Sequence, residues 1–217
     1  MCQLAALAEP LQLTRNAAGV IEAHVAQAGA YELKFADGTT RKLAVAALAP
    51  ALELSGPWEV NFAPGWGAPE QVTFEQLGDW TRRPEEGIRH YSGRGTYRQT
   101  FELSAESRLV APGGRLVLDL GELRDLATVR VNGQELGTLW LAPWRMDITA
   151  AAKPGRNTLE VTVVNPWHNR LVGDAALPVA QRRTFLLAPT VQPEAPLLPA
   201  GLIGPVTLQR VEQVEVR

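Results

Sequence analysis

The segment at residues 165–174 carries the side chains best suited to hold a polar ligand. It follows a run of alternating apolar residues and combines an indole with amides, an imidazole, a guanidinium and a carboxylate; these are Asn165, Trp167, His168, Asn169, Arg170 and Asp174. An indole can stack on the C–H face of a sugar ring while planar polar groups hydrogen-bond its hydroxyls. We therefore predict a carbohydrate-binding loop. The open alternative is that Asn165 and Asp174 cap turns and that Arg170 pairs with a carboxylate.

Tryptophans elsewhere in the chain offer further stacking faces. Five of the six lie in segments predicted to be loops, namely Trp66, Trp80, Trp140, Trp144 and Trp167. Trp144 is a second predicted sugar contact. Arg94, in the basic turn around Tyr91-Ser92-Gly93, is predicted to lie on the rim of the same site. Packing on the core remains the alternative for Trp140 and Trp144.

Carboxylates in the loops raise the question of catalysis. Hydrolysis of a glycosidic bond ordinarily needs two carboxyl groups about 5 to 9 Å apart, and Asp147 and Asp174 are weak candidates for such a pair. Sequence spacing alone does not bring them together. Neither a Gly-x-Ser-x-Gly elbow nor a phosphate-binding glycine loop occurs. We therefore predict no catalytic residue in this chain, with a small stand-alone hydrolase as the alternative.

Composition argues against several other classes of protein. A net charge of −2 offers no broad basic surface for nucleic acid, and no apolar run approaches the length of a membrane span, so we expect a soluble protein. The first residues lack the basic region of a signal peptide, and the compartment stays open. Cys2 has no partner for an internal disulfide. No cofactor is expected, although a structural calcium ion held by Asp119 and Asp125 is compatible with the sequence.

The elements that must position these side chains are predicted to be strands. Alternation of apolar and polar residues recurs along the chain, whereas the period of a long amphipathic helix does not. Asp37-Gly38 and Asn132-Gly133 are typical of tight hairpin turns. Residues 149–155 predict one short helical turn. We predict an all-β chain with a small β-hairpin unit and linker at residues 1–50, the linker at 46–51, and a β-sandwich at 51–217.

Several motifs in combination resemble those of known glycoside hydrolases. They are Gly56-Pro57-Trp58-Glu59-Val60, Tyr91-Ser92-Gly93, Leu118-Asp119-Leu120-Gly121-Glu122, Val129-Arg130-Val131-Asn132-Gly133, Trp144-Arg145-Met146-Asp147, Asn165-Pro166-Trp167-His168-Asn169-Arg170-Leu171 and Gly201-Leu202-Ile203-Gly204-Pro205. Residues 91–209 resemble the sugar-binding domain of family 2 glycoside hydrolases. The longer stretch from Leu52 resembles the C-terminal domain of α-L-rhamnosidases of glycoside hydrolase family 106.

The resemblance implies a galactose-binding-domain-like jelly-roll β-sandwich. It also implies that a separate (β/α)₈ barrel carries out catalysis. Such a barrel takes roughly 250 residues and cannot be accommodated in this chain. The expected function is a noncatalytic carbohydrate-recognition or accessory domain. Its expected partners are a carbohydrate, with a rhamnose-containing glycan as one candidate, and a catalytic barrel. A purely structural module that docks on a catalytic partner remains a further alternative.

Overall fold

The computed structural model describes residues 11–45, 48–104, 114–186 and 191–216. The strands are β1 (Leu11–Arg15), β2 (Ile21–Val25), β3 (Gly29–Lys34), β4 (Thr40–Val45), β5 (Leu52–Glu53), β6 (Trp58–Phe62), β7 (Gln71–Phe74), β8 (Arg94–Leu103), β9 (Arg115–Asp119), β10 (Glu122–Arg124), β11 (Leu126–Val131), β12 (Gln134–Leu139), β13 (Arg145–Asp147), β14 (Gly155–Val164), β15 (Gly201–Gly204) and β16 (Thr207–Glu215). The helices are α1 (Glu86–Arg89) and α2 (His168–Ala175), and single 3₁₀ turns occupy Trp80–Arg82 and Val179–Gln181.

Two antiparallel sheets form the body of the protein. One has the order β1-β2-β16-β9-β13, with β5 also paired to β16, and the other has the order β12-β11-β14-β8-β6-β7. Strands hold 47% of the structure and helices 9%. The predicted all-β, galactose-binding-like sandwich is therefore confirmed. In the described parts of the chain, no helix is long and apolar enough to cross a membrane.

The core between the sheets follows from the alternation in the strands. Along β14, Leu159, Val161 and Val163 are buried while the residues between them are not. Aromatic rings fill the part of the core next to β6 and β8; these are Trp58, Phe62, Phe74, Trp80, Tyr91 and Tyr97. Trp80 was predicted to lie in a loop, but it is fully buried and its indole N–H donates to the Tyr97 hydroxyl. Its ring is therefore a core residue and not a stacking face.

Both predicted hairpins are present. Strands β3 and β4 flank Asp37-Gly38, and β11 and β12 flank Asn132-Gly133. Asn132 and Gly133 have φ angles of 52° and 80°, the positive values that a tight hairpin turn requires. The predicted helical turn also occurs, since Ala152 donates its backbone N–H to the Ile148 carbonyl at 2.9 Å.

The N-terminal strands contact the sandwich through its last strand. β16 pairs with β9 over Thr207–Val211 and then with β2 over Glu212–Glu215. A second, small core forms beside this junction; its buried residues are Ala23, Val25, Leu33, Leu43, Val45 and Val216. The division at residue 51 remains a prediction. Residues 46 and 47 of the expected linker, and Cys2, lie outside the described residues.

Candidate functional site

Three loops meet at one end of the second sheet because of its strand register. β8 is antiparallel to both neighbours, so that Arg94, its first residue, pairs with Val164, the last residue of β14. The next residue of β8, Gly95, pairs with Phe62 at the end of β6. The segments after β6, before β8 and after β14 must therefore emerge side by side.

These loops form an open cleft of about 320 Å³. Its lining residues are Ala63, Trp66, Tyr91, Ser92, Gly93, Arg94, Trp167 and Arg170. The rings of Trp66 and Trp167 are 6.4 Å apart between centroids and tilted by 54°. Trp167 remains 58% exposed, whereas Trp66 is half-buried against the core. The two indoles give the cleft an aromatic surface that solvent can reach.

The side-chain amide of Asn165 fixes the turn at Tyr91-Ser92-Gly93, which lines the cleft. Its side-chain amide donates to the Tyr91 carbonyl at 2.9 Å and accepts the Gly93 N–H at 2.8 Å. The Tyr91 hydroxyl donates to the Arg94 carbonyl at 2.8 Å and accepts the Ala63 N–H at 3.0 Å. Burial raises the pKa of this phenol, which favours the neutral, donating form. Asn165 thus positions the loops and its amide is already occupied.

The segment after Asn165 is helical, and the prediction of a loop there was wrong. Trp167 immediately precedes α2, and Arg170 donates its backbone N–H to the Ser92 hydroxyl at 3.1 Å. The helix packs closely against the turn at His90 because residue 173 is glycine. A Cβ atom there would lie 2.8 Å from the Cβ of His90. Eight residues carry too little apolar periodicity for the sequence to distinguish this helix from a loop.

Two further residues predicted to contact the sugar, Asn169 and His168, are bonded to the backbone instead. Asn169 is buried, and its amide donates to the Leu198 carbonyl at 2.7 Å and accepts the Leu198 N–H at 2.8 Å. The His168 ring nitrogen Nε2 lies 2.9 Å from the Pro196 carbonyl oxygen. These bonds attach the segment before β15 to α2. Neither side chain lines the cleft.

Arg170 and Asp174 form a buried pair under the cleft. The Arg170 Nη2 atom lies 2.9 Å from Asp174 Oδ1, and both side chains are less than a tenth exposed. The other carboxylate oxygen accepts the backbone N–H groups of Arg183 and Thr184 and the Thr184 hydroxyl. Burial lowers the pKa of Arg170, as does the nearby Arg183, while Asp174 opposes the shift. Asp174 therefore anchors the chain after α2.

Trp144 and Asp147 lie away from the cleft, in the first sheet. Trp144 immediately precedes β13, and Asp147 is the last residue of that strand. Trp144 packs partly buried against the core, and its carbonyl accepts the Leu120 N–H at 2.9 Å. Asp147 accepts the N–H and hydroxyl of Thr149 at 2.9 and 2.6 Å. Asp147 also pairs with Arg115 at 3.7 Å, whereas the ion-pair partner of Asp174 is Arg170. The structure thus brings together Arg94, Trp167 and Arg170 at the cleft, and places Trp144 and Asp147 away from it.

The two aspartates suggested as calcium ligands, Asp119 and Asp125, differ in their surroundings. Asp119 accepts a hydrogen bond from Arg145 Nε at 2.7 Å, and Asp125 follows β10 with a positive φ of 74°. Burial raises the pKa of Asp125, which disfavours the charged form. No cluster of three or more His, Cys, Asp or Glu side chains suited to a metal ion occurs among the described residues.

A larger concavity, of about 790 Å³, lies over the outer face of the second sheet. Opposite charges alternate across five of its strands, in the order Glu59, Arg98, Glu160, Arg130 and Glu135. Neighbours in this row pair at 2.6 to 3.8 Å. No aromatic side chain lines this surface. The charged side chains of this surface form ion pairs with one another. The smaller aromatic cleft is therefore the better candidate site.

Sequence reasoning did not assign Trp66 to the site. Its Pro64-Gly65-Trp66-Gly67 context indicated a loop, but a loop tryptophan has no visible partner until the register places it beside Trp167. Arg183 was missed as well. Its Nη1 donates to the Gly65 carbonyl at 2.6 Å and braces the Trp66 loop.

Comparison with known proteins identifies the class of domain. Residues 82–186 match the glycosyl hydrolase 2 galactose-binding domain-like family. This span includes α1, β8 to β14 and α2, and therefore two of the three loops at the cleft. Residues 82–186 thus resemble a galactose-binding-like domain of the glycoside hydrolase type, in agreement with the sequence motifs.

Individual relatives extend the similarity over most of the chain. A "Putative beta-glucuronidase" of Formosa agariphila is 34% identical over 83% of this chain and 17% of that protein. A rhamnosidase structure from Novosphingobium sp. PP1Y superposes with a TM-score of 0.70 at 30% identity, over 94% of this chain and 25% of that one. A beta-D-glucuronidase of Dictyoglomus thermophilum shares the fold, with a TM-score of 0.54 at 16% identity over 77% of this chain and 29% of that one.

These relatives are larger glycosidases. The chain spans about a sixth of the length of the Formosa protein and a quarter of the rhamnosidase. Its size and fold are those of an accessory domain of such enzymes.

Proposed function

We propose that the chain is a noncatalytic carbohydrate-recognition domain whose ligand lies in the cleft between Trp66 and Trp167. The observation that carries this proposal is the pair of indoles 6.4 Å apart at the loop end of the sandwich, one of them 58% exposed. An indole face that is open to solvent can stack on a pyranose ring, and polar groups at the edge of the cleft can orient it.

The surrounding contacts support a preformed site. Tyr91, Asn165 and Ser92 connect the three loops through hydrogen bonds of 2.8 to 3.1 Å. Loops that are already fixed lose little conformational freedom when a ligand binds. A shallow cleft nevertheless makes few contacts, so we expect dissociation constants of about 0.1 to 10 mM.

A rhamnose-containing glycan is the first ligand class to test. The support is the similarity to the Novosphingobium rhamnosidase, which covers 94% of this chain. We further propose that the domain works beside a catalytic barrel. Asp147 and Asp174 are separated and bonded within the scaffold, which favours this arrangement over a stand-alone hydrolase.

Docking on a catalytic partner is a second candidate function. Large apolar side chains are exposed outside the cleft, notably Phe185 at 84%, Val179 at 77% and Trp140 at 66%. Val179 and Phe185 line one concavity together, and contiguous exposed apolar patches are typical of surfaces that another protein covers. The two functions are compatible, because these side chains do not line the cleft.

The proposal is tested by comparing two exposed tryptophans. Rhamnose and rhamnose-containing oligosaccharides are titrated by ligand-observed NMR into the parent chain, Trp167→Ala and the matched control Trp140→Ala. We expect Trp167→Ala to weaken binding at least about tenfold and Trp140→Ala to leave it unchanged. Unfolding midpoints of both variants should stay near the parent value, because both side chains are largely exposed.

Binding that survives Trp167→Ala, or that is lost equally in both variants, contradicts the assignment of the cleft. A Trp167→Ala variant that binds sugar normally but unfolds at a much lower temperature would show that the ring serves the core.

A further inference from the structure

The cleft combines aromatic walls with an excess of positive charge. Two arginines, Arg94 and Arg170, line it, and none of the carboxylates in the described parts of the chain does. We propose that the sugar bound here carries an anionic group, either a uronate carboxylate or a sulfate ester, held by Arg94 and Arg170. This inference rests on the proposed function, since it specifies the ligand of the same cleft.

Arg94 is the accessible cation. It is exposed at the first residue of β8, and no carboxylate in the described ranges forms an ion pair with it. Arginines further along the same sheet are paired, since Arg98 lies 2.8 Å from Glu160 and Arg130 lies 2.6 Å from Glu135. A guanidinium without a carboxylate at the mouth of a cleft can make two parallel hydrogen bonds to a carboxylate or sulfate.

Arg170 provides a second, buried donor. Its side chain is 6% exposed, and its Nε atom has no hydrogen-bond partner among the described residues. A buried N–H without an acceptor is costly, because it loses its bonds to water and gains none in return. A ligand oxygen in the cleft would supply the missing acceptor.

The charges around Arg170 leave the site short of negative charge. Asp174 forms an ion pair with Arg170, and its other oxygen accepts the backbone N–H groups of Arg183 and Thr184. Arg183 adds a further cation, whose Nη1 braces the Gly65 carbonyl. Burial and the nearby Arg170 lower the pKa of His90, so this imidazole is held in its neutral form and adds no positive charge. An anion would lower the repulsion between the guanidinium groups of Arg170 and Arg183, whereas a neutral sugar would not.

The test uses sugars that differ only in the anionic group. The full chain is titrated with methyl β-D-glucopyranoside, the corresponding glucuronide and the corresponding 6-sulfate at low salt, and again in 0.5 M sodium chloride. We expect the acidic sugars to bind about tenfold more tightly than the neutral one at low salt, with the advantage reduced by screening. The two acidic arms distinguish carboxylate from sulfate.

Variants locate the charge recognition. Arg94→Gln should remove most of the preference for acidic over neutral sugars, and Arg94→Lys should retain part of it. Arg156→Gln is the matched control, because Arg156 is exposed at the opposite end of β14.

The outcomes separate the two proposals. Equal affinity for neutral and acidic sugars, or an acidic preference that Arg94→Gln leaves intact, overturns the charge inference and leaves sugar binding standing. Failure of every sugar, the rhamnose-containing glycans included, to bind overturns both. If only one acidic sugar gains affinity, the inference holds and the anionic group is identified.

Discussion

At the scale of single residues, polar groups that look alike in the sequence have different roles. Asn165 and Asn169 connect loops through their amides, while Arg94 is exposed at the edge of the cleft and pairs with no carboxylate among the described residues. The sequence predicted that Asn165 to Asp174 form a ligand-binding cluster or a set of caps and ion pairs. In the structure the side chains of Asn165, Asn169 and Asp174 are bonded within the scaffold, and Arg170 pairs with Asp174.

Asp174 offers a direct test of this reading. Asp174→Asn removes the charge opposite buried Arg170 and weakens the acceptor that holds Arg183 and Thr184, so we expect a loss of about 3 to 5 kcal/mol in the free energy of unfolding. Asp147→Asn, the exposed control, should cost about 1 kcal/mol or less. Urea denaturation measures both. Equal, small losses would show that Asp174 is not an anchor and would reopen a catalytic role.

At the scale of elements, the site depends on a short helix that the sequence did not reveal. The strands were predictable because alternation is directly visible, and the Asn132-Gly133 turn fixes its own hairpin. The convergence of β6, β8 and β14 was not predictable. More than thirty residues separate β6 from β8, and the sequence of one strand does not determine its register with another. Trp66 and Trp167 therefore could be named singly but not as a pair.

The packing of α2 can be tested at Gly173. In Gly173→Ala the new methyl group would lie 2.8 Å from the Cβ of His90, so the helix must shift, and we expect a loss of about 1 to 3 kcal/mol in unfolding free energy together with weaker sugar binding. Gly78→Ala is the control, because a Cβ atom there meets nothing within 4 Å. A Gly173→Ala variant as stable as Gly78→Ala would contradict the close contact between α2 and the turn at His90.

At the scale of the whole molecule, the chain contains a large core and a small one, joined through β16. We predict that residues 51–217 fold on their own, since the main core contains no residue before Leu54. The truncated chain should still unfold cooperatively, with a lower midpoint because Glu212–Glu215 lose their pairing with β2. Circular dichroism during thermal unfolding measures this. A broad transition without cooperativity would show instead that the first 50 residues complete the sandwich.

Binding of sugar between Trp66 and Trp167 can be observed through the indole N–H signals of the ¹⁵N-labelled chain. The six signals are assigned with single Trp→Phe variants and followed while a rhamnose-containing oligosaccharide, and then the acidic sugars, are added. We expect the signals of Trp66 and Trp167 to move together along one binding curve, while those of exposed Trp140 and buried Trp80 stay in place. Binding that moves the Trp140 signal and leaves Trp66 and Trp167 unchanged would contradict the assignment of the cleft.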